Sequence, residues 1–421
     1  MNFTFDLSIQ SIILLSVACV SALIDIPLYR GRLRRLNHAA WRQASDFAGT
    51  TVTTEVSAET DGADTLVSEG FSIDPQGGFD TSDLEPVSVV VYAQDEAERL
   101  AGLLPRLLSQ SYPPGFEVIV VNEGASEATS DIVNQLALTH SNLYMTFTPD
   151  GARNLSRKKL ALMLGIKAAR NRVVVNTTAA ARIDSDQWLL AMARNFSNPS
   201  VEVVLGYAYP VGTDNGAGKR HRSFDYVAHA MTWLTAALGG HPYRGTEFNI
   251  AYTRNAFFRN KGFSKSLNLR YGDDDIFISE IANAGNTAVE LSPESMVGVR
   301  MYNVKRECRD LARRHEFTGR FITKGPRRAV ALGSWLMWLC IGCCIAAGIV
   351  ALPNLVPAII AFVIAVALLV AVTVNWHKTM KIMHGRKLML TIPWLALTYP
   401  LRNAMRTLYC RMHKGRNYTW S

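Results

Sequence analysis

The sequence predicts an α/β fold, a mostly parallel central sheet with helices on both faces, attached to about three transmembrane helices. Two observations predict the sheet. Short apolar runs such as Val87–Val91, Glu117–Val121 and Val173–Val175 have the length of buried parallel strands. Between them apolar residues recur at helical spacing, as in Leu100, Leu103, Leu104, Leu107 and Leu108. A third observation predicts the membrane part: Ile9–Leu28, 329–350 and 356–374 are long apolar stretches, the last two without a charge.

Taken in order, the strand at Val87–Val91 leads into the Leu100–Leu108 helix and then the strand at Glu117–Val121. Ile132, Val133 and Leu136 mark the next helix, Leu143–Phe147 the third strand, and Leu160, Met163 and Leu164 the third helix. Val173–Val175 is the fourth strand. Trp188, Met192 and Phe196 mark another helix, and Val201–Tyr207 a fifth strand. Strands alternating with helices imply a parallel sheet whose ligands bind at the strands' carboxyl ends. Those ends are Tyr92–Glu96, Asn122–Ser126 and Asn176–Ala181. Further on, Gly272 precedes Asp273, Asp274 and Asp275, and Ile276 and Ile281 continue at helical spacing. Carboxylates packed at a loop-to-helix junction suit a general base or a metal ligand, with one of them free to cap the helix. Gly212–Lys219 lacks P-loop spacing, Arg220 stands where a P-loop needs Ser or Thr, and no G-x-G-x-x-G follows the first strand.

The apolar spans order the chain across a bilayer. Asp25 interrupts the first span; no positive residue precedes it, and Arg30, Arg32, Arg34 and Arg35 follow. This favours an uncleaved anchor over a secretory signal, with residues 29–328 in the cytoplasm. Pro353 and Pro357 flank the turn of a helical hairpin, and residues 377–421 carry nine Lys or Arg and no Asp or Glu, as expected of a cytoplasmic tail. The expected location is the cell (inner) membrane, multi-pass. The net charge of +9 is then a membrane signature with the lipid bilayer as partner. The basic residues flank apolar spans and do not interleave with stacking aromatics, so nucleic acid is not an expected partner. Asp46–Glu85 holds ten carboxylates and no Lys or Arg, the composition of a flexible linker. Cys19, Cys340, Cys343 and Cys344 fall in the apolar spans, where small residues serve packing rather than disulfides. The chain divides into an anchor with its basic flank (1–36), an acidic linker (37–85), a catalytic-type domain (86–325), a hairpin (326–376) and a basic tail (377–421).

Four stretches together carry a family likeness. Val87-Ser-Val-Val-Val-Tyr-Ala-Gln-Asp-Glu96, Glu117-Val-Ile-Val-Val-Asn-Glu-Gly-Ala-Ser126, the helix Arg157–Ala169 and Gly272-Asp-Asp-Asp-Ile-Phe277 resemble, in that order, the motifs of family 2 glycosyltransferases. Arg313-Arg-His315 stands where a basic-aromatic motif often follows in that family. The resemblance covers about residues 86–325 and implies the nucleotide-diphosphosugar transferase fold. It implies sugar transfer from a nucleotide-diphosphate donor to a lipid-linked or glycan acceptor, with inversion at the anomeric carbon. Carried onto this chain, Asp274 becomes the base, with Asp273 and Asp275 beside it. Asp95, Glu96 and Glu123 would line the nucleoside pocket, and Lys159, Arg313, Arg314 and His315 would face the donor phosphates.

The chain departs from the family in three places. Tyr92 stands where Pro is frequent, and Glu123 where Asp is usual. Most consequentially, Thr178 and Ala180 occupy the positions of the acids that hold Mg²⁺ or Mn²⁺. Alanine has no ligand atom and a neutral hydroxyl is a poor substitute for a carboxylate, which puts the divalent metal in question. Asp184 and Asp186 have the right mutual spacing, but they stand before Trp188 at a helix start, where acids serve as caps. Two readings follow: an active membrane-bound glycosyltransferase, or a catalytically impaired relative acting as a protein partner or regulator in an envelope assembly.

Overall fold

The computed structural model describes residues 9–55, 83–124, 126–148, 155–214, 216, 218–322, 325–350 and 355–412. Most of the acidic segment, residues 56–82, and the last nine residues of the tail, 413–421, lie outside the described residues.

Seven strands form the main sheet in the order β3-β2-β1-β4-β8-β6-β9. β1 (Val87–Gln94), β2 (Phe116–Glu123), β3 (Leu143–Phe147) and β4 (Val173–Thr178) are its parallel half. β1 is buried along Val87–Ala93 and β2 along Glu117–Glu123, which is why both read as near-continuous apolar runs. β8 (Ile250–Thr253) is antiparallel to both β4 and β6 (Val203–Leu205), and β9 (Thr287–Val289) closes the edge parallel to β6. The expected fifth strand is thus present but reaches the sheet through β8. A second, three-stranded sheet joins β5 (Ala181–Arg182), β10 (Val297–Arg300) and β7 (Ala208–Val211).

Helices cover both faces of the main sheet. α2 (Ala97–Leu108) buries Leu100, Leu103, Leu104 and Leu107 in a core with Val87, Val89, Val91, Val118 and Val120. α3 (Glu127–Ala137) adds Val133 to that core. On the other face α4 (Arg157–Ala168) packs closely enough at Gly165 that a Cβ there would lie 2.7 Å from methyls of Val90 and Val121. α5 (Trp188–Ala193), α6 (Lys219–Leu238), α7 (Arg254–Arg259), α8 (Ile276–Ile281) and α9 (Val304–Thr318) complete the domain.

α10 (Gly325–Val350), α11 (Leu355–Ile382) and α12 (Ile392–Met412) follow. Two helical stretches, Leu332–Val350 and Val356–Ile382, are long and apolar enough to cross a membrane. Their outer faces expose Trp335, Ile345, Ile349, Ile359, Phe362 and Val363, which water would penalise and lipid would not. The first helix, α1, corrects the expectation of a third span followed by a linker: it runs unbroken over Ile9–Glu55, and only Ile9–Asp25 of it is apolar, shorter than the other two. α1 packs along α10 and α11, then continues onto the domain. There the Gln43 amide donates to the Val289 carbonyl (2.7 Å) and accepts from the Leu291 amide (2.8 Å), covering the open edge at β9.

Candidate active site

The carboxyl ends of β1, β2 and β4 lie side by side, because β1 pairs in register with both neighbours. After β1 the chain turns through Asp95, an exposed non-glycine residue at φ +51°; after β2 it turns at Gly124, φ +88°. Tyr92 near the end of β1 donates to the Glu123 carboxylate at the end of β2 (2.5 Å). Glu96 bonds Arg99, and burial raises its carboxyl above the ordinary value despite that contact.

Facing these ends is the Tyr271–Asp275 turn. It depends on Gly272, at φ +107°, where a Cβ would also strike the Ile276 side chain. The three aspartates that follow meet three different environments. Asp275 is buried: it accepts the first amide of α8 from Ile276 (2.7 Å), pairs with Arg244 (3.1 Å) and accepts from the Thr318 hydroxyl. Burial raises its carboxyl, with Arg244 and Thr318 opposing. Asp273 pairs with Lys158 (2.6 Å). Burial pushes Asp273 up, but Lys158, with Lys159 behind it, outweighs burial and holds it below the usual carboxylate range. The Asp274 carboxylate makes no hydrogen bond or ion pair among the described residues. Burial, then Asp275, Asp273 and Glu247, push it well above the ordinary value. A half-buried, unpaired carboxylate of raised basicity is what a general base requires.

Glu247 completes the cluster, pairing with Lys158 and with Arg314 of α9 (3.2 Å). The Arg314 guanidinium also lies over the Tyr271 ring (4.9 Å), and the Lys158 ammonium over the Tyr92 ring (5.4 Å). Burial lowers both cations, and the surrounding carboxylates more than restore them. Gly245 brings the 243–247 loop against the acid turn: its amide donates to the Asp274 carbonyl (3.0 Å), and a Cβ there would lie 2.5 Å from Ile250.

Several expected positions move. Lys159 is fully buried and its ammonium donates to the carbonyls of Ser266 (2.6 Å) and Tyr271 (2.9 Å) and to the Ser266 hydroxyl (3.1 Å). Burial pushes it down to about 8. It braces the acid turn, and the lysine that reaches the carboxylate cluster is Lys158. Arg313 faces α12, with Asp310 at 3.6 Å and the Tyr409 ring at 5.8 Å. His315 stacks on His229 (4.6 Å), and burial, then Arg244, lower it well below its ordinary value. Asp184 pairs with Arg106 (3.1 Å) and Arg182 (2.8 Å); Asp186 is exposed and its carbonyl accepts from Ser111 (2.9 Å). Glu247 and Arg244 were not singled out in the sequence, because nothing periodic marks a loop that owes its role to tertiary contact.

Residues 88–267 match the family model described as glycosyl transferase family 2. The match ends short of the Asp273–Asp275 turn. Glycosyltransferase AglE of Haloferax volcanii is 30% identical over 155 residues, 34% of this chain and 46% of that protein, so the match spans about half of that relative's length. Among solved structures, mannosyltransferase PcManGT from Pyrobaculum calidifontis, in complex with GDP-Man and Mn²⁺, is 17% identical, covering 92% of this chain and 99% of that one, with a TM-score of 0.47. S. aureus TarS 1-349 in complex with UDP-GlcNAc is 12% identical, covering 75% of this chain and 92% of that one, with a TM-score of 0.39.

Proposed function

We propose, from the match of residues 88–267 to the glycosyl transferase family 2 model, that the protein is a membrane-bound, inverting glycosyltransferase. The donor is a nucleotide-diphosphate sugar bound over the ends of β1, β2 and β4, with Asp95, Glu96 and Glu123 at the nucleoside. The acceptor, lipid-linked or glycan, presents a hydroxyl to the anomeric carbon. The new C–O bond forms on one face while the bond to the diphosphate breaks on the other. The hydroxyl proton passes to Asp274 and the nucleoside diphosphate departs. Lys158 and Arg314, the cations paired with Glu247 beside Asp274, would meet the charge that develops on the leaving group.

The Mg²⁺ or Mn²⁺ usual in the family does not fit the residues at the end of β4. The Thr178 hydroxyl is buried without a hydrogen-bond partner among the described residues, and Ala179 and Ala180 offer only methyl groups. Asp184 is committed to two arginines.

The observation that carries this reading is Asp274, the member of the Asp273–Asp275 triplet left unpaired and basic among committed neighbours. The departures at Tyr92 and Glu123 also bond each other, which fits a rebuilt nucleoside pocket better than the eroded one of an impaired relative. Supporting a bilayer location are the two long apolar helices with exposed outer faces. The test is transfer from labelled uridine- and guanosine-diphosphate sugars by the full-length chain in membranes, with calorimetric titration of the two free diphosphates. Diphosphate binding plus transfer supports the enzyme. Absence of both, with and without Mn²⁺, would leave the impaired-relative reading in its place.

A further inference from the structure

A cavity of about 950 Å³ opens between α1 and the β9 edge of the main sheet, with β8 and β6 standing between that edge and β4. It has room for a small organic group and shares no residue with the candidate active site. One wall is a face of α1 that carries Arg34, Arg35, His38 and Arg42, all exposed. They share that face because α1 buries Leu33, Leu36, Ala40 and Phe47 on its opposite side. The other wall is the segment after α5, with Arg194, Asn195 and Asn198.

The charges lining it are unequal. Arg194 is matched by the buried Glu290 (3.2 Å). The other carboxylate is Asp46, at the domain end of the α1 face. Arg34, Arg35 and Arg42 form no ion pair among the described residues. Arg35 reaches across to the end of α6, where a Cβ on Gly239 would lie 3.6 Å from its guanidinium. The depth of the cavity follows from one contact. The Thr379 hydroxyl donates to Asn37 Oδ1 (3.3 Å), so Asn37 stands level with the last turn of the apolar stretch Val356–Ile382. A helix rises about 1.5 Å per residue, which puts Arg34 about 4.5 Å to the apolar side of that level and Arg42 about 7.5 Å to the domain side. A headgroup layer is about 5–7 Å deep. In the proposed bilayer setting the arginines span that layer.

We propose that this cavity binds the headgroup of an anionic phospholipid, with the lipid phosphate met by Arg34, Arg35 and Arg42. A zwitterionic headgroup would bring its own cation against the same arginines. A free phosphate matches the charge but not the depth. The bound lipid would tie the polar half of α1 to the domain at the bilayer surface. This rests on the bilayer location proposed above, and alkaline carbonate extraction of membranes tests that location by itself. A chain that washes off removes the bilayer setting and this site with it. A chain that stays but prefers no anionic lipid removes the site alone. The preference is read by native mass spectrometry of the full chain in neutral detergent, titrated with phosphatidylglycerol or phosphatidylcholine. Phosphatidylglycerol should bind about tenfold or more tighter, and Arg34→Gln with Arg35→Gln and Arg42→Gln should weaken it about tenfold or more. The control Lys378→Gln with Lys381→Gln and Lys387→Gln removes equal charge near the same boundary but outside the cavity, and should leave binding within about twofold. All six positions are exposed, so neither variant should unfold the chain. Equal loss in the two variants would mean a general cationic surface and overturn the site. So would equal binding of the two lipids. Displacement of phosphatidylglycerol by inorganic phosphate would overturn it as well, in favour of a free-anion site.

Discussion

Asp273, Asp274 and Asp275 are consecutive and chemically identical, yet one is an ion-pair partner, one a buried cap and one unpaired. The difference decides what each substitution should do. Asp274→Asn removes the proposed proton acceptor at almost constant size. Turnover should fall about 10²-fold or more with donor-diphosphate affinity unchanged, as read by steady-state kinetics and calorimetry. Because the folded protein disfavours ionised Asp274, the same change should leave the melting temperature equal or higher. Asp275→Ala instead strands Arg244 in the interior and should cost about 3 kcal/mol or more of stability. The proposed base, Asp274, must be ionised to work, and its carboxyl is raised above the ordinary range. The acidic limb of kcat should accordingly sit above the usual carboxylate pH, with activity lost as pH falls through it. A limb at or below pH 4, or equal activity in all three Asn variants, would take the triplet out of catalysis. At this scale the sequence located the triplet through its acid density after a glycine. It could not say which of Lys158 and Lys159 reaches the cluster, because adjacent helical residues point about 100° apart and only packing chooses between them.

The β-α units from β1 to β4 were legible because each carries its own local signal, a short apolar run or a 3.6-residue period. β8 was not, since Ile250–Thr253 is four residues long and its partners are distant in the chain. The continuation of α1 to Glu55 was hidden for a similar reason: its polar half carries no strong period and is held by contacts such as Gln43 with Val289 and Leu291. Gly165 gives an element-scale prediction. In an exposed helix Gly→Ala gains about 1 kcal/mol. Here the added methyl meets Val90 and Val121 at 2.7 Å, so overpacking should win and Gly165→Ala should lower stability by about 1–2 kcal/mol. Thermal unfolding of the full chain in detergent reads the sign directly; a stabilised variant would show that α4 does not sit this close to the sheet.

Over the whole molecule the long apolar helices and the domain pack as one body. After α11 the chain returns to the domain, where the Tyr207 hydroxyl donates to the Met383 carbonyl (3.1 Å) and the Arg386 guanidinium to that of Asp214 (3.1 Å). α10 leaves from the same domain after α9, so the start and end of the hairpin lie on one side, with the domain. α1 likewise passes from its apolar stretch onto the β9 edge. In the proposed bilayer setting, one side would hold the domain and the segment after α11. The arginines at 30–35 and the cationic tail predict that this side is the cytoplasmic one, because positive flanks stay cytoplasmic. A green fluorescent protein fused to the C-terminus should then fluoresce, and an alkaline phosphatase fused after Arg35 should be inactive, since each reporter matures on only one side. The converse pair of results would put the domain outside the cell, away from cytoplasmic nucleotide sugars. With the domain inside, donor binding should show one further property of the whole charge pattern. Diphosphate affinity should fall with added salt and gain little from Mn²⁺, because Lys158 and Arg314 supply the positive charge that Thr178 and Ala180 cannot recruit through a metal. Thr178→Asp with Ala180→Asp should add Mn²⁺-dependent tightening. Strong Mn²⁺ dependence in the unsubstituted chain would instead mean that carboxylates elsewhere hold the ion, with Asp184 and Asp186 the first to substitute.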